Sequence, residues 1–148
     1  MDRLKDPHSP EYCNQLFNLH TVATKTTLQS SDRTYFVDRK NKMTYEVEFT
    51  DEFQQWYLTL DQATQDSIDV AVTLLEERGP TLPSQYSSAI NGSRYGHMRE
   101  LKVQHKGKPY RILYAFDPRR FAVLLLGGNK AGSNRWYEEN VPKADKLY

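Results

Sequence analysis

Lys102, Arg111, Lys130, Arg135 and Tyr137 carry the most pointed chemistry in this sequence. Guanidinium groups bind phosphate oxygens in bidentate fashion and stabilise the charge of a phosphorane-like transition state. A lysine crowded by other cations has a lowered pKa and can act as a base, as can a perturbed tyrosine. No carboxylate dyad, metal-ligand spacing or nucleophilic Ser or Cys constellation accompanies them. Such a set suits phosphodiesters, and RNA above all, because its 2′-OH supplies the nucleophile. No metal or other cofactor is expected.

The surrounding charge points the same way. The net charge is +1, yet residues 44–77 hold nine acidic side chains and no Lys or Arg. Residues 92–136 hold ten basic side chains, opposed only by Glu100 and Asp117. If these cations converge, they form a face for a polyanion, with Arg94, Arg99, Lys106 and Lys108 as RNA-binding candidates around the catalytic set. The apolar fraction of 38% and charged fraction of 26% are those of an ordinary soluble domain. The longest apolar run, Phe121 to Leu126, is far short of the roughly 20 residues of a membrane span. The first ten residues offer no apolar leader and Cys13 is the sole cysteine, so a reducing cytoplasm is expected.

What must position these groups is an α+β domain over residues 43–148. Residues 1–42 read as a weakly structured extension with a short element near Tyr12–Leu19, and Met43 is a candidate start for the patterned domain. Tyr45, Val47 and Phe49 alternate with glutamates, predicting a half-exposed strand. Thr50 and Asp61 are predicted N-caps of two helices, the second amphipathic through Ile68, Ala71, Val72 and Leu75 and ending near Gly79. Strands are predicted at 98–104, 110–116 and 121–126, joined by "HKGK" and "DPRR", and a helix at the C-terminus. The expected architecture is a strand and two helices packed on a three-stranded antiparallel meander, with all helices on one face of the sheet.

Regular four-residue loops fix a register. Gln104 opposes Pro109, which sets Lys102 directly across from Arg111. In the second hairpin Phe116 opposes Phe121, and Arg111 then lies beside Leu126. Opposed positions share a face, so Leu101, Val103, Tyr110, Ile112, Tyr114, Phe116, Val123 and Leu125 are the expected core. Glu100, Lys102, Arg111, Leu113, Leu124 and Leu126 fall on the other face. Gly127 and Gly128 would end the strand and let Lys130, Arg135 and Tyr137 fold back over the cations, with Trp136 as core. Two like charges face to face repel, so the Lys102–Arg111 pair makes sense with an anion between them.

The segments MRELK, YRILYAFDPRR, LLGGNK and WYE followed by VPKADKLY, within residues 97–148, resemble the phage-derived HigB-like branch of the RelE/ParE toxin superfamily. The likeness extends to residues 43–96 by element order. It implies a small RelE-like fold and the toxin of a type II toxin–antitoxin pair. The implied activity is an endoribonuclease cutting mRNA in the ribosomal A site, neutralised by a cognate helix-turn-helix antitoxin. The family's catalytic lysine, arginine, basic residue and tyrosine fall on Lys102, Arg111, Lys130 or Arg135, and Tyr137, with His97 as the variant histidine; His105 reads as solvated. Glu100 stands where many ribosome-dependent members have another basic residue. A ParE-like poison of DNA gyrase and a decayed nucleic-acid-binding module are the competing readings.

Overall fold

The computed structural model describes residues 25–30, 33–38, 44–119 and 121–148, in two units that divide after Thr44. In the first unit, strands β1 (Lys25–Ser30) and β2 (Arg33–Asp38) form an antiparallel hairpin, Leu28 pairing with Tyr35. Thr, Tyr, Phe and Val favour strands, but two short runs escape a search for sustained periodicity. The element expected near Tyr12–Leu19 lies outside the described residues.

The second unit contains β3 (Glu46–Phe49), α1 (Asp51–Leu58), α2 (Gln62–Arg78), β4 (Ser87–Ala89), β5 (Met98–His105), β6 (Lys108–Asp117), β7 (Phe121–Asn129) and α3 (Trp136–Leu147). Both predicted caps form: Thr50 accepts from the Phe53 N–H at 3.2 Å and Asp61 from that of Thr64 at 3.0 Å. The strands make one five-stranded sheet, ordered β3-β7-β6-β5-β4, with β3 parallel to β7 and the other pairs antiparallel. The meander is therefore flanked on both sides. β4 went unread because three residues of Ser-Ser-Ala carry no period.

Register settles which groups meet. In the β5–β6 hairpin Lys102 opposes Arg111, as expected, around a tight turn in which Lys106 and Gly107 both have positive φ. The second hairpin departs from expectation. Asp117 pairs with Phe121 and Tyr114 with Leu124, then the register shifts so that Leu113 meets Leu126 and Arg111 meets Gly128. A three-residue turn replaces the assumed four, and a bulge at Leu125 adds a further residue. Leu124 consequently joins the face of Tyr114, while Val123 joins that of Ala115. Thr50 holds the irregularity: its N–H donates to Leu124 O at 3.0 Å and its hydroxyl donates to Leu125 O.

Both faces of the sheet are covered, which corrects the one-sided packing expected. Met98, Leu113, Ala115, Leu125 and Leu126 form a buried cluster with Trp136, Val141 and Ala144 of α3. The opposite face takes α1 and α2. A leucine side chain is worth roughly 1.5–3 kcal/mol when fully buried, so Leu113 and Leu126 required a lid; α3 is that lid.

Gly127 and Gly128 lie inside β7 rather than ending it. A Cβ on Gly127 would sit 2.1 Å from the Trp56 ring, and one on Gly128 would sit 2.7 Å from Trp136 Nε1. The two glycines are seats for two indoles, one on each face of the sheet. Gly127→Ala is expected to destabilise the domain by about 1–3 kcal/mol through overpacking. Gly96→Ala, where a Cβ meets nothing within 4 Å, should leave thermal unfolding nearly unchanged. Equal melting temperatures for the two variants would refute the seating role.

Candidate active site

Lys102 and Arg111 are fixed by backbone pairing on adjacent strands, and β6 is the central strand of the sheet. Their shared face also carries Glu100, two residues before Lys102 and therefore diagonal to Arg111. Glu100 is 6% exposed, and a carboxylate so buried must find partners. It has three. Tyr137 donates its hydroxyl to Glu100 Oε2 at 2.6 Å, Ser88 donates to Oε1 at 2.7 Å, and Arg111 Nε stands 3.5 Å from Oε2.

Arg111 is only partly spent by these contacts. One terminal nitrogen donates to Tyr110 O at 2.9 Å. Its Nε is buried, and at 3.5 Å the geometry to Glu100 makes an ion pair rather than a hydrogen bond. The Nε–H is therefore a buried donor without a hydrogen-bond acceptor. Lys102 turns its ammonium outward to Ser84 O at 3.0 Å, an exposed contact that an anion can replace without exposing a buried group.

Lys130 arrives through the loop after β7. Its N–H donates to Pro109 O at 2.8 Å, and its ammonium lies 4.7 Å from the centroid of the Tyr137 ring. This cation–π contact fixes the ammonium beside the phenol. Tyr137, in the first turn of α3, has its pKa raised above the ordinary tyrosine value. Burial is the main cause, followed by the hydrogen bond and charge of Glu100; Arg111 opposes both. The phenol is consequently protonated at neutral pH and suits proton donation, not the base role left open by residue type alone.

The structure thus brings together Lys102, Arg111, Lys130 and Tyr137. It separates the other candidates. Arg135 stands exposed at the start of α3, where its carbonyl accepts from the Glu139 N–H, and its side chain joins none of these contacts. His97 is at the far end of α3, its ring 5.1 Å from that of Tyr148, whereas Tyr137 begins the helix. Arg94 is in the loop tied to that same distant end, its N–H donating to the Asp145 carboxylate at 3.0 Å. Arg99 alternates with Glu100 and so points to the opposite face, where its Nε donates to Ser87 Oγ at 3.2 Å. Lys106 and Lys108 are exposed at the β5–β6 hairpin tip, beyond the Lys102–Arg111 pair. His105 is not simply solvated: its Nδ1 is 2.7 Å from Ser67 Oγ and its Nε2 is buried.

Glu100 and Ser88 are the groups that reading by residue type missed. Glu100 is legible as one of two acids among ten bases, but its burial is not, because α3 covers the face on which no helix is expected. Nothing in the pattern around Ser88 distinguished it.

The sequence profile of the family described as phage-derived protein Gp49-like matches residues 55–148. The candidate toxin HigB3 of Mycobacterium tuberculosis is 44% identical over 94 residues, which cover 63% of this chain and 81% of that protein. The candidate toxin HigB2 of the same organism is 40% identical over 95 residues, and the match spans 47% of its length. Among solved structures, the free state of a double arginine-to-alanine mutant of Escherichia coli toxin RelE aligns with a TM-score of 0.50 at 16% identity. That alignment covers 68% of this chain and 98% of the RelE chain, and it bears on the fold alone. No helix among the described residues is long and apolar enough to cross a membrane. The chain belongs to the phage-derived Gp49-like family, in which its relatives are HigB toxins.

Proposed function

We propose that this protein is the toxin of a type II toxin–antitoxin pair and acts as an endoribonuclease on mRNA at the ribosome. The observation that carries the reading is the meeting of Arg111, its Nε–H without an acceptor, and the protonated phenol of Tyr137 at one carboxylate, with Lys102 opposite Arg111 on the next strand. Family membership and relatives regarded as toxins support it.

In this reaction the scissile phosphate lies between Lys102 and Arg111, with Lys130 at its edge. The 2′-oxygen attacks phosphorus, forming the 2′,3′-cyclic phosphate and breaking the bond to the 5′-oxygen. Arg111 stabilises the charge that develops on the phosphoryl oxygens. Tyr137 protonates the departing 5′-oxygen. The proton released from the 2′-OH passes to water, and Glu100, which accepts from the phenol in the resting site, holds Tyr137 in place. The residues 43–148 are the proposed toxin domain, and the partner is a small antitoxin whose charge complements the basic face.

Induced expression is expected to arrest growth, with co-expression of its cognate antitoxin relieving it. Ribosomes programmed with a defined mRNA should yield cleaved message in the presence of the purified protein. Unaltered growth at expression levels confirmed by blot would overturn the toxin reading. Arrest with intact mRNA and inhibited DNA gyrase would replace it with the ParE-like alternative.

A further inference from the structure

The short edge strand β4 does more than extend the sheet, and we infer that Ser88 is a positioning residue of the site, acting through Glu100. Ser88 and Glu100 are opposed partners of the β4–β5 ladder, so their side chains share the face that carries Lys102 and Arg111. Glu100 divides its two oxygens. Oε1 accepts from the Ser88 hydroxyl at 2.7 Å, which leaves Oε2 turned toward the Tyr137 hydroxyl at 2.6 Å and Arg111 Nε at 3.5 Å. A glutamate side chain has three rotatable bonds, and its terminal torsion is broad. Held only by Tyr137, it would swing with the phenol; held from the opposite oxygen as well, it has one orientation.

The same segment also places the lysine. The Lys102 N–H donates to Tyr86 O at 2.8 Å, and its ammonium donates to Ser84 O at 3.0 Å. Residues 84–88 therefore touch both the cation and the carboxylate of the site. Ser88 does not reach the position assigned to substrate and takes no part in bond making. It sets the direction of Glu100 and through it of Tyr137.

This inference rests on the proposed ribonuclease reading for its kinetic consequence but not for its structural one, and two measurements separate them. In the full chain labelled with 13C at the tyrosine ζ carbon, the Tyr137 resonance is assigned by its loss in Tyr137→Phe. Ser88→Ala is expected to move that resonance at neutral pH in the same direction as Glu100→Gln, and Ser88→Thr to leave it in place. A resonance unmoved by Ser88→Ala overturns the proposal whatever the RNA assays show. On programmed ribosomes, Ser88→Ala should lower kcat about fivefold to tenfold with KM unchanged, which is what one hydrogen bond carries. Ser88→Thr should restore it. In a Tyr137→Phe background the same change should have little further effect, because the pathway from Ser88 already ends at a missing hydroxyl. An equal loss in both backgrounds, or failure of Thr to restore, would make Ser88 a packing residue. Absence of cleavage by the unaltered protein, with the resonance still moved by Ser88→Ala, would reject the ribonuclease reading and leave the positioning role standing.

Discussion

Arg111→Ala is expected to lower mRNA cleavage about 10²–10³-fold, the range for removing one preorganised donor from a developing charge. Arg119→Ala should leave cleavage within about twofold, as befits an exposed ion pair. The two residues have the same side chain in very different settings. Arg111 is anchored on the central strand, its Nε buried beside Glu100 and without a hydrogen-bond acceptor. The strand pairing fixes its backbone before a phosphoryl oxygen arrives. Arg119 sits in the β6–β7 turn and is already engaged by Asp117, Nε to Oδ1 at 2.9 Å and Nη2 to Oδ2 at 3.1 Å. Its contribution to an RNA would be solvent-screened and would fall with ionic strength. Arg111→Ala should melt at a lower temperature, because Glu100 loses its countercharge, so both variants are compared at a temperature where circular dichroism matches the parent. Similar losses from the two substitutions in folded proteins would mean that the basic strip acts diffusely and has no defined phosphate position.

The contrast also explains what could be read from sequence. The first hairpin was legible because a turn of Lys106 and Gly107 keeps the alternation of both strands in step, and that placed Lys102 opposite Arg111. The second was not, because the shift at Leu113/Tyr114 changes the parity of β7 partway along its length. Before the shift, Val123 and Leu124 exchange faces; after it, Leu126 returns to the expected one. Period-2 reasoning has no means of locating such a bulge inside an unbroken apolar run, since Val-Leu-Leu-Leu reads the same in either register. The glycines misled for a related reason. Gly-Gly is a sound turn signal, but here the close approach of Trp56 and Trp136 requires the missing Cβ atoms. Glu100 is the costliest omission. Its identity was visible, whereas the burial that makes it a partner of Tyr137 depends on α3 covering the second face.

Tyr137→Phe is expected to reduce cleavage roughly 10- to 10³-fold, the upper part of which is what general acid–base catalysis contributes, with ribosome binding nearly unchanged. The substitution keeps the ring, and with it the contact to Trp136 and the Lys130 ammonium 4.7 Å away. It removes the hydroxyl that donates to Glu100. The pH dependence follows from the raised pKa of the phenol. A donor must hold its proton, so the Tyr137-dependent part of the rate should persist through neutral pH and fall only above the ordinary tyrosine value of about 10. The same linkage applies to stability. The phenol–carboxylate bond contributes fully below the unfolded-state pKa and is lost as pH rises through the higher folded-state pKa. Tyr137→Phe should therefore remove the alkaline fall attributable to this group as well as lower the plateau. Tyr137→Ala goes further, because it also deletes the ring and frees Lys130. Full activity in Tyr137→Phe with loss in Tyr137→Ala would confine Tyr137 to stacking and packing. The proton for the 5′-oxygen would then have to come from Lys102 or Lys130, the remaining donors at the phosphate position.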